Sequence, residues 1–479
     1  MKALKGFFLI VYAALIILLF FNFDTSLLVW VSFFVNAIVL LCITIYHLYF
    51  EKDYSPFLSS FIVFTFLFFI AAPITQISSF YNQSTPKFVH FFPYKESLVL
   101  YANFLILLFN VCFITFYIRF KKKISFRKRE ISLFRKKTLP FSIAVILCIC
   151  LLIFFTSYGF VIEEFSRPSW LKSSNSVMVL LLWKKFLFFI PLSGICLCFQ
   201  YFNKTLKNKS NYKDIIVFLV LFIAILFWFK NPLIEKRNAL GPIYITLIFL
   251  FIPRLLNNNV KILSFLFFSM IILFPLTAIL THSDASFLEI YNNPMILIKE
   301  MKGGGITEAF TTLNYDAFAN ITVTLELISK EGFSFGYQLL GGVLFFFPRS
   351  IWTSKPISSG ELVGDYLVEN YQYNFTNLSN SFLSESFLNF GLLGIIIFAI
   401  VLAYMLNYFI FWLKSENYLK KTMAFYFSIH LIFFLRGDFT NGFSYYVGPL
   451  LAVLLIPWLV ETIIKELLLL KKTNIGNDC

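Results

Sequence analysis

Two permanent cations, Arg349 and Lys355, sit in a short stretch framed by prolines: Phe345-Phe346-Phe347-Pro348-Arg349-Ser350-Ile351-Trp352-Thr353-Ser354-Lys355-Pro356. Proline fixes φ and removes a backbone donor, so no continuous helix is expected through both cations. The stretch reads as a stiff, irregular loop at a membrane face that presents positive charge to an anion. The plainer reading is a loop anchored at lipid headgroups. Two more arginines fall at the same expected face: Arg237, just ahead of an apolar run, and Arg436, at the end of another. Each has a nearby acid, Glu235 or Asp438, that would neutralise it locally. A guanidinium donates two parallel hydrogen bonds to phosphoryl oxygens, so this group of cations suits a diphosphate.

Candidates for proton handling are fewer. His282, in Thr281-His282-Ser283-Asp284, has an intrinsic pKa near neutrality and suits a general base. Glu385, in Ser384-Glu385-Ser386, opens an apolar run, where the helix dipole favours an ionised carboxylate. Their plain readings are an interfacial histidine and a helix-start acid. Other acids expected at that face are Asp284, Asp316, Glu326, Glu361 and Asp365. His430 lies inside an apolar run and reads as a hydrogen-bonded packing residue. Lys184 and Lys185 also fall inside a run, where a cation is costly, and both a functional role and snorkelling stay open. There is no Asp-x-Asp, no paired-histidine spacing and no Gly-Lys-Ser/Thr phosphate loop. No metal site, no cofactor and no nucleotide hydrolysis are therefore expected.

The elements that must position these residues are membrane helices. The 479-residue chain is 59% apolar and only 14% charged, with 66 phenylalanines, too little charge to clothe a soluble core. Apolar runs near the bilayer-spanning length of about 20 residues recur at roughly 6–22, 26–46, 56–77, 98–119, 139–158, 177–201, 215–229, 241–253, 262–280, 386–412, 422–436 and 446–463. The expected fold is an all-α polytopic bundle of about 12 transmembrane helices. The net charge of +15 is a topology signal rather than a nucleic-acid footprint, because the densest run, Arg119 to Lys137, lies between two spans. With the N-terminus inside, cations crowd the inner segments and both termini are cytoplasmic. Six of the seven cysteines lie in spans and Cys479 ends the chain, so no disulfide framework is expected. The organisation reads as spans over 1–280, a large outer loop over 281–385, and spans plus a cytoplasmic tail over 386–479. Within the loop, Ile306, Phe310, Leu313, Ala317, Ile321, Leu325 and Ile328 recur at helical spacing, which predicts an amphipathic helix along the outer membrane boundary.

The stretch from Phe347 to Pro356 resembles the Pro-Arg-Ser-x-Trp-x-x-Lys-Pro element of bacterial O-antigen (oligosaccharide repeat-unit) polymerases of the Wzy type, and Arg349 to Gly360 is similar to their Arg-x10-Gly pattern. Glu385 followed by Asn389-Phe390-Gly391-Leu392-Leu393-Gly394 resembles the family's carboxylate and Asn-Phe-Gly-x-x-Gly helix, and Arg436-Gly437-Asp438 its late Arg-Gly-Asp element. Arg237 is similar in placement to an earlier loop arginine, although no glycine lies eleven residues beyond it. The resemblance implies a class C-like glycosyltransferase in the bacterial inner membrane, acting on its outer face. It would join undecaprenyl-diphosphate-linked oligosaccharide repeat units into O-antigen, capsular or exopolysaccharide chains. Arg349, Lys355, Arg237 and Arg436 would hold diphosphate, and Glu385 or His282 would act as base or hydroxyl holder. Its partners would be membrane lipids, a flippase and a chain-length regulator, and no nucleic acid. The competing readings are an O-antigen ligase and a flippase or transporter of lipid-linked oligosaccharide. A transporter should show internal repeats and broken midplane helices, and no repeat is visible.

Overall fold

The computed structural model describes residues 2–81, 88–123, 138–166, 177–205, 213–232, 235, 237–273, 293, 295 and 310–477. Among the described residues the chain is helical throughout, with turns and loops but no strand. Eight helices are long and apolar enough to cross a membrane: Lys2–Phe21, Leu27–Phe50, Pro56–Phe80, Glu96–Lys122, Leu139–Phe165, Met178–Lys204, Phe382–Leu413 and Phe439–Leu469. This is a multi-pass membrane protein. The other four apolar runs are helical too where described. Lys213–Phe229, Arg237–Phe251 and Asn259–Phe268 are short, and Tyr418–Arg436 carries Lys420, Lys421 and Arg436.

Helix Pro56–Phe80 is the axis of the bundle and is buried over its whole spanning window. Its surface is aromatic, so it docks by ring contacts such as Phe61 on Phe113, with centroids 4.1 Å apart. Between helices in lipid, close packing and hydrogen bonds do the work that water exclusion does elsewhere. Near its C-terminal end Gln76 is fully buried. Its Nε2 donates to the carbonyls of Phe310 (2.8 Å) and Tyr315 (3.0 Å), and Tyr94 donates to its Oε1 (2.9 Å). An amide buried in an apolar bundle must find such partners, and here they fix a turn that later forms a wall of the site.

Ion pairs mark the two ends of the bundle. At one end His47, Tyr117 and Lys121 converge on the buried Glu51 at 2.5–2.8 Å, and Lys414 pairs with Asp53 at 2.7 Å. At the other end Ser26 meets Glu96 (2.7 Å) and Lys95 meets Glu326 (3.0 Å). The segment 310–381 gathers at this second end.

That segment differs from its expected form. The helix runs Ala317–Glu331, and Leu313–Tyr315 is a separate 3-10 turn. Ile306 lies outside the described residues. The helix does not lie along a membrane boundary: Ala317 to Leu325 are all buried. Among its apolar residues the helix also carries Asn320, Thr322 and Thr324, whose donors are satisfied internally. Asn320 donates to the Ser379 carbonyl, Thr324 to the Asn320 carbonyl (2.8 Å), and Ser384 to Thr324 (2.7 Å). Short hydroxyl and amide side chains let the polar face pack as closely as the apolar one.

The long helix Phe382–Leu413 lies along Glu96–Lys123 and breaks at Gly391, where φ is +60° and ψ is −143°. The break frees the Leu388 carbonyl, which accepts from Ser334 N–H at 3.0 Å. Asn389 bridges it: its Nδ2 donates to the Glu385 carbonyl (2.8 Å) and its Oδ1 accepts from Gly336 N–H (3.0 Å). A Cβ on Gly394 would overlap the Ser386 carbonyl oxygen. The Asn-Phe-Gly-x-x-Gly element is thus a hinge that turns the helix start, with Glu385, toward the rest of the site. A residue other than glycine at this φ/ψ, a region essentially only glycine adopts, costs on the order of 1–3 kcal/mol. Gly391→Ala should therefore lower stability by about that amount, and Gly394→Ala by more. Thermal unfolding of the purified protein in detergent tests this, and a melting temperature equal to the parent's for both variants would mean the break is absent.

Candidate functional site

A cavity of about 570 Å³ opens where the 3-10 turn, the 375–379 strap and the ends of the last two helices meet. Its charged wall is built from three segments. Arg436 ends helix Tyr418–Arg436, and its Nη2 donates to the Leu313 carbonyl at 2.8 Å and to Asp316 Oδ1 at 3.2 Å. Asp316, almost fully buried, also accepts from Ser379 Oγ at 2.7 Å. The partner expected from sequence proximity was Asp438. The true partner lies 120 residues away because Gln76 holds the Leu313–Tyr315 turn in reach.

Asp438 faces the same cavity and is 1% exposed. It caps the following helix turn, accepting from Asn441 N–H (2.7 Å) and Asn441 Nδ2 (2.9 Å). Burial lifts its carboxyl above the ordinary aspartate range, outweighing those hydrogen bonds and the favourable field of Lys185. Glu385 is fully buried but does not line the cavity. Its Oε2 accepts from Phe439 N–H at 2.6 Å, so it ties the hinge helix to the start of the last helix, next to Asp438. Phe439 N–H belongs to a helix's first turn and has no partner inside that helix, so the Glu385 carboxyl oxygen satisfies it, while Oε1 stays buried without a partner among the described residues.

His430 was expected to be a packing residue. Its ring does stack against Tyr426 and Tyr446, and Nε2 donates to the Gly442 carbonyl (2.9 Å), but it also borders the cavity. Tyr445 and the half-exposed Phe375 add aromatic surface.

Arg349 and Lys355 lie together outside this cavity. Helical turns interrupt their loop, as the prolines require. Arg349 donates to the carbonyls of Lys355 (2.6 Å) and Pro356 (3.3 Å), and Lys355 to those of Phe345 (2.8 Å) and Phe347 (3.0 Å). The two cations therefore brace their own loop. Neither pairs with a carboxylate among the described residues, and each keeps further N–H donors unused. Partial burial, and then the neighbouring guanidinium, push the Lys355 ammonium below its usual value. The loop packs onto the site: a Cβ on Gly341 would meet Pro356 at 2.6 Å, and one on Gly342 would meet Phe439 at 2.8 Å. The loop then enters helix Ser359–Tyr371, capped by Ser358, whose Gly360 lies against the Leu378 carbonyl and Asp438.

Arg237 begins helix Arg237–Phe251, and its side chain lies outside the described residues, as does all of His282. Glu235, the acid expected beside Arg237, pairs with Lys230 at 3.5 Å. Lys184 and Lys185 sit on a π-helical turn, Leu181–Phe186. Lys184 meets Glu164 at 2.5 Å; Lys185 donates to Ser444 at 2.7 Å and covers the Tyr445 ring at 3.7 Å. Lys184 thus ties this helix to Leu139–Ser166, and Lys185 ties it to the last helix, behind the cavity wall.

Asp316 was visible in the sequence only as one of several acids, and Asn441 and Phe375 carried no signal. Their roles come from contacts between segments far apart in the chain.

The family model "O-antigen polysaccharide polymerase Wzy" matches residues 364–466. The matched stretch holds the hinge helix with Glu385, the Arg436–Asp438 element and the start of the last helix, but not the Arg349 loop. Over that stretch the chain is similar to Wzy-type O-antigen polysaccharide polymerases. Neither the curated proteins nor the solved structures contain a match.

The folded chain holds the Asp438 proton to higher pH than the unfolded chain does. Its contribution to stability is full below the ordinary aspartate pKa and is lost as pH rises through the raised value. Asp438→Asn should flatten that part of the stability curve, followed as melting temperature in detergent from about pH 4 to 7. An unchanged slope would show that Asp438 does not hold its proton abnormally.

Proposed function

We propose that this protein extends a polysaccharide at the outer face of the bacterial cytoplasmic membrane, using undecaprenyl-diphosphate-linked oligosaccharides as both donor and acceptor. The carrying observation is that the family match spans Arg436 and Asp438, which line the cavity, and the helix of Glu385, which is bonded to the residue after Asp438. The full bundle would have about twelve spans, both termini inside, with the segment 281–385 over the outer face; the inward bias of Lys and Arg favours that orientation.

In the reaction, a non-reducing-end hydroxyl of the incoming repeat unit attacks the anomeric carbon of the growing chain. The bond from that carbon to the diphosphate breaks, the lipid diphosphate leaves with the electron pair, and the hydroxyl proton passes to a carboxylate. Arg349 and Lys355 suit the leaving diphosphate, being two adjacent cations without an acidic partner among the described residues and with unused donors. Asp438 is the carboxyl in the cavity wall. Glu385, tied to the Phe439 amide, holds the geometry around it. Arg237 and His282 stay candidates for a second diphosphate contact and a proton acceptor. A flippase that delivers the substrate and a regulator of chain length would be the partners.

The test is purified protein in liposomes with lipid-diphosphate-linked repeat units. Glycans should lengthen. Movement of the lipid across the bilayer without a new glycosidic bond would favour a transporter, and transfer to a lipid A core would favour a ligase. Donors aimed at developing charge are each worth about 100- to 1000-fold in rate. Arg349→Ala should reduce extension by about that factor with expression and insertion intact, and Arg349→Lys should also impair it, since a point charge does not reproduce the planar fork. Normal polymer length from Arg349→Ala would reject the diphosphate role.

A further inference from the structure

The cavity at Arg436 was expected to help hold diphosphate, and its charges argue otherwise. Arg436 Nη2 donates to Asp316 at 3.2 Å and to the Leu313 carbonyl at 2.8 Å, so its charge is paired with a carboxylate although its buried Nε has no partner among the described residues. Asp438 adds a second carboxyl to the same wall. The other nearby cation, Lys185, does not line the cavity; it stands behind Tyr445 and is bonded to Ser444. Counting it, two cations meet two carboxyl groups, and without it the wall is neutral or negative. A diphosphate carries acceptor oxygens and negative charge, so each carboxylate in the wall would repel it.

The same lining suits hydroxyl groups. A hydroxyl both donates and accepts, so it can serve a carboxylate and an amide in turn. Asn377, Asn441 and Asn314 supply amides, and Asp438 supplies a carboxyl. Phe375 stands at the cavity, 47% exposed, and offers a flat apolar face. A concave site with aromatic surface and a few placed polar groups is what binds a ring that has an apolar face and a polar rim.

We propose that this cavity receives the uncharged, hydroxyl-rich saccharide of the lipid-linked substrate, and that the diphosphate lies outside it against Arg349 and Lys355. This rests on the polymerase reading and divides its substrate between two subsites. Phe375 and Asn377 become specificity residues on an exposed strap, where substitution leaves the helices intact.

The experiment measures binding by the full chain in detergent, as thermal stabilisation, to two separate probes. One is undecaprenyl diphosphate bearing no sugar. The other is the free oligosaccharide repeat unit released from its lipid by mild acid. Phe375→Ala and Asn377→Ala should weaken the oligosaccharide by about tenfold or more and leave undecaprenyl diphosphate unchanged. Arg349→Ala and Lys355→Ala should do the reverse. Loss of undecaprenyl diphosphate binding in the strap variants, or oligosaccharide binding insensitive to them, would overturn the division. If neither probe stabilises the unaltered protein, the polymerase reading itself falls, and this proposal with it.

Discussion

The carboxylate of Glu385 on the amide of Phe439 is the contact on which the site's geometry depends. It closes a 2.6 Å hydrogen bond between the starts of two long helices in a place with no access to solvent. Asp438 immediately precedes that amide, so the same bond that docks the helices sets where the cavity's carboxyl stands. On the other side, the Gly391 break and Asn389 aim Glu385 at Phe439. Without the break, the start of Phe382–Leu413 would continue along the axis of the rest of the helix, away from this contact. In an apolar bundle, a misplaced carboxylate has few alternatives, because burying a charge or a polar group without partners is expensive.

A second chain of buried polar contacts reaches the cavity from the centre of the bundle. Gln76 on the axial helix fixes the turn at Leu313–Tyr315, the turn offers a carbonyl and Asp316 to Arg436, and Ser379 secures Asp316. Each link satisfies a group that lipid cannot. The cavity is therefore a by-product of satisfying buried polar groups, and its rigidity follows from the same source. Charged hydrogen bonds of this kind contribute about 1.5–3 kcal/mol each. Because they share partners, they act as one network rather than as separable contributions.

The two groups of arginines now have different characters. Arg436 is neutralised and structural in its contacts, yet it borders the cavity. Arg349 and Lys355 are held by carbonyls alone and keep their field. The proposed division of a lipid-linked donor, with its uncharged saccharide in the cavity and its anionic diphosphate at the loop, rests on that difference. The glycine contacts at Gly341, Gly342 and Gly360 let the cationic loop press onto the cavity's outer wall.

Hydropathy alone was enough to expose the helices, because a bilayer demands long apolar runs whatever their neighbours; all twelve runs are helical where described. The Asn389-Phe390-Gly391-Leu392-Leu393-Gly394 element was legible only as a family resemblance, and the helix break at Gly391 came from the structure; Arg349, Lys355, Glu385 and Arg436 stood out as charges in an apolar chain. What spacing could not carry was partnership. The stripe from Phe310 to Ile328 promised a boundary helix, but Asn320, Thr322 and Thr324 find buried acceptors, so the helix went inside. Arg436 passed over its near neighbour for Asp316, and Lys184 and Lys185 met Glu164 and Ser444. Local sequence determines which segments must leave water and which backbones bend; only the packed bundle decides which charge meets which, because that depends on distances between residues a hundred or more positions apart.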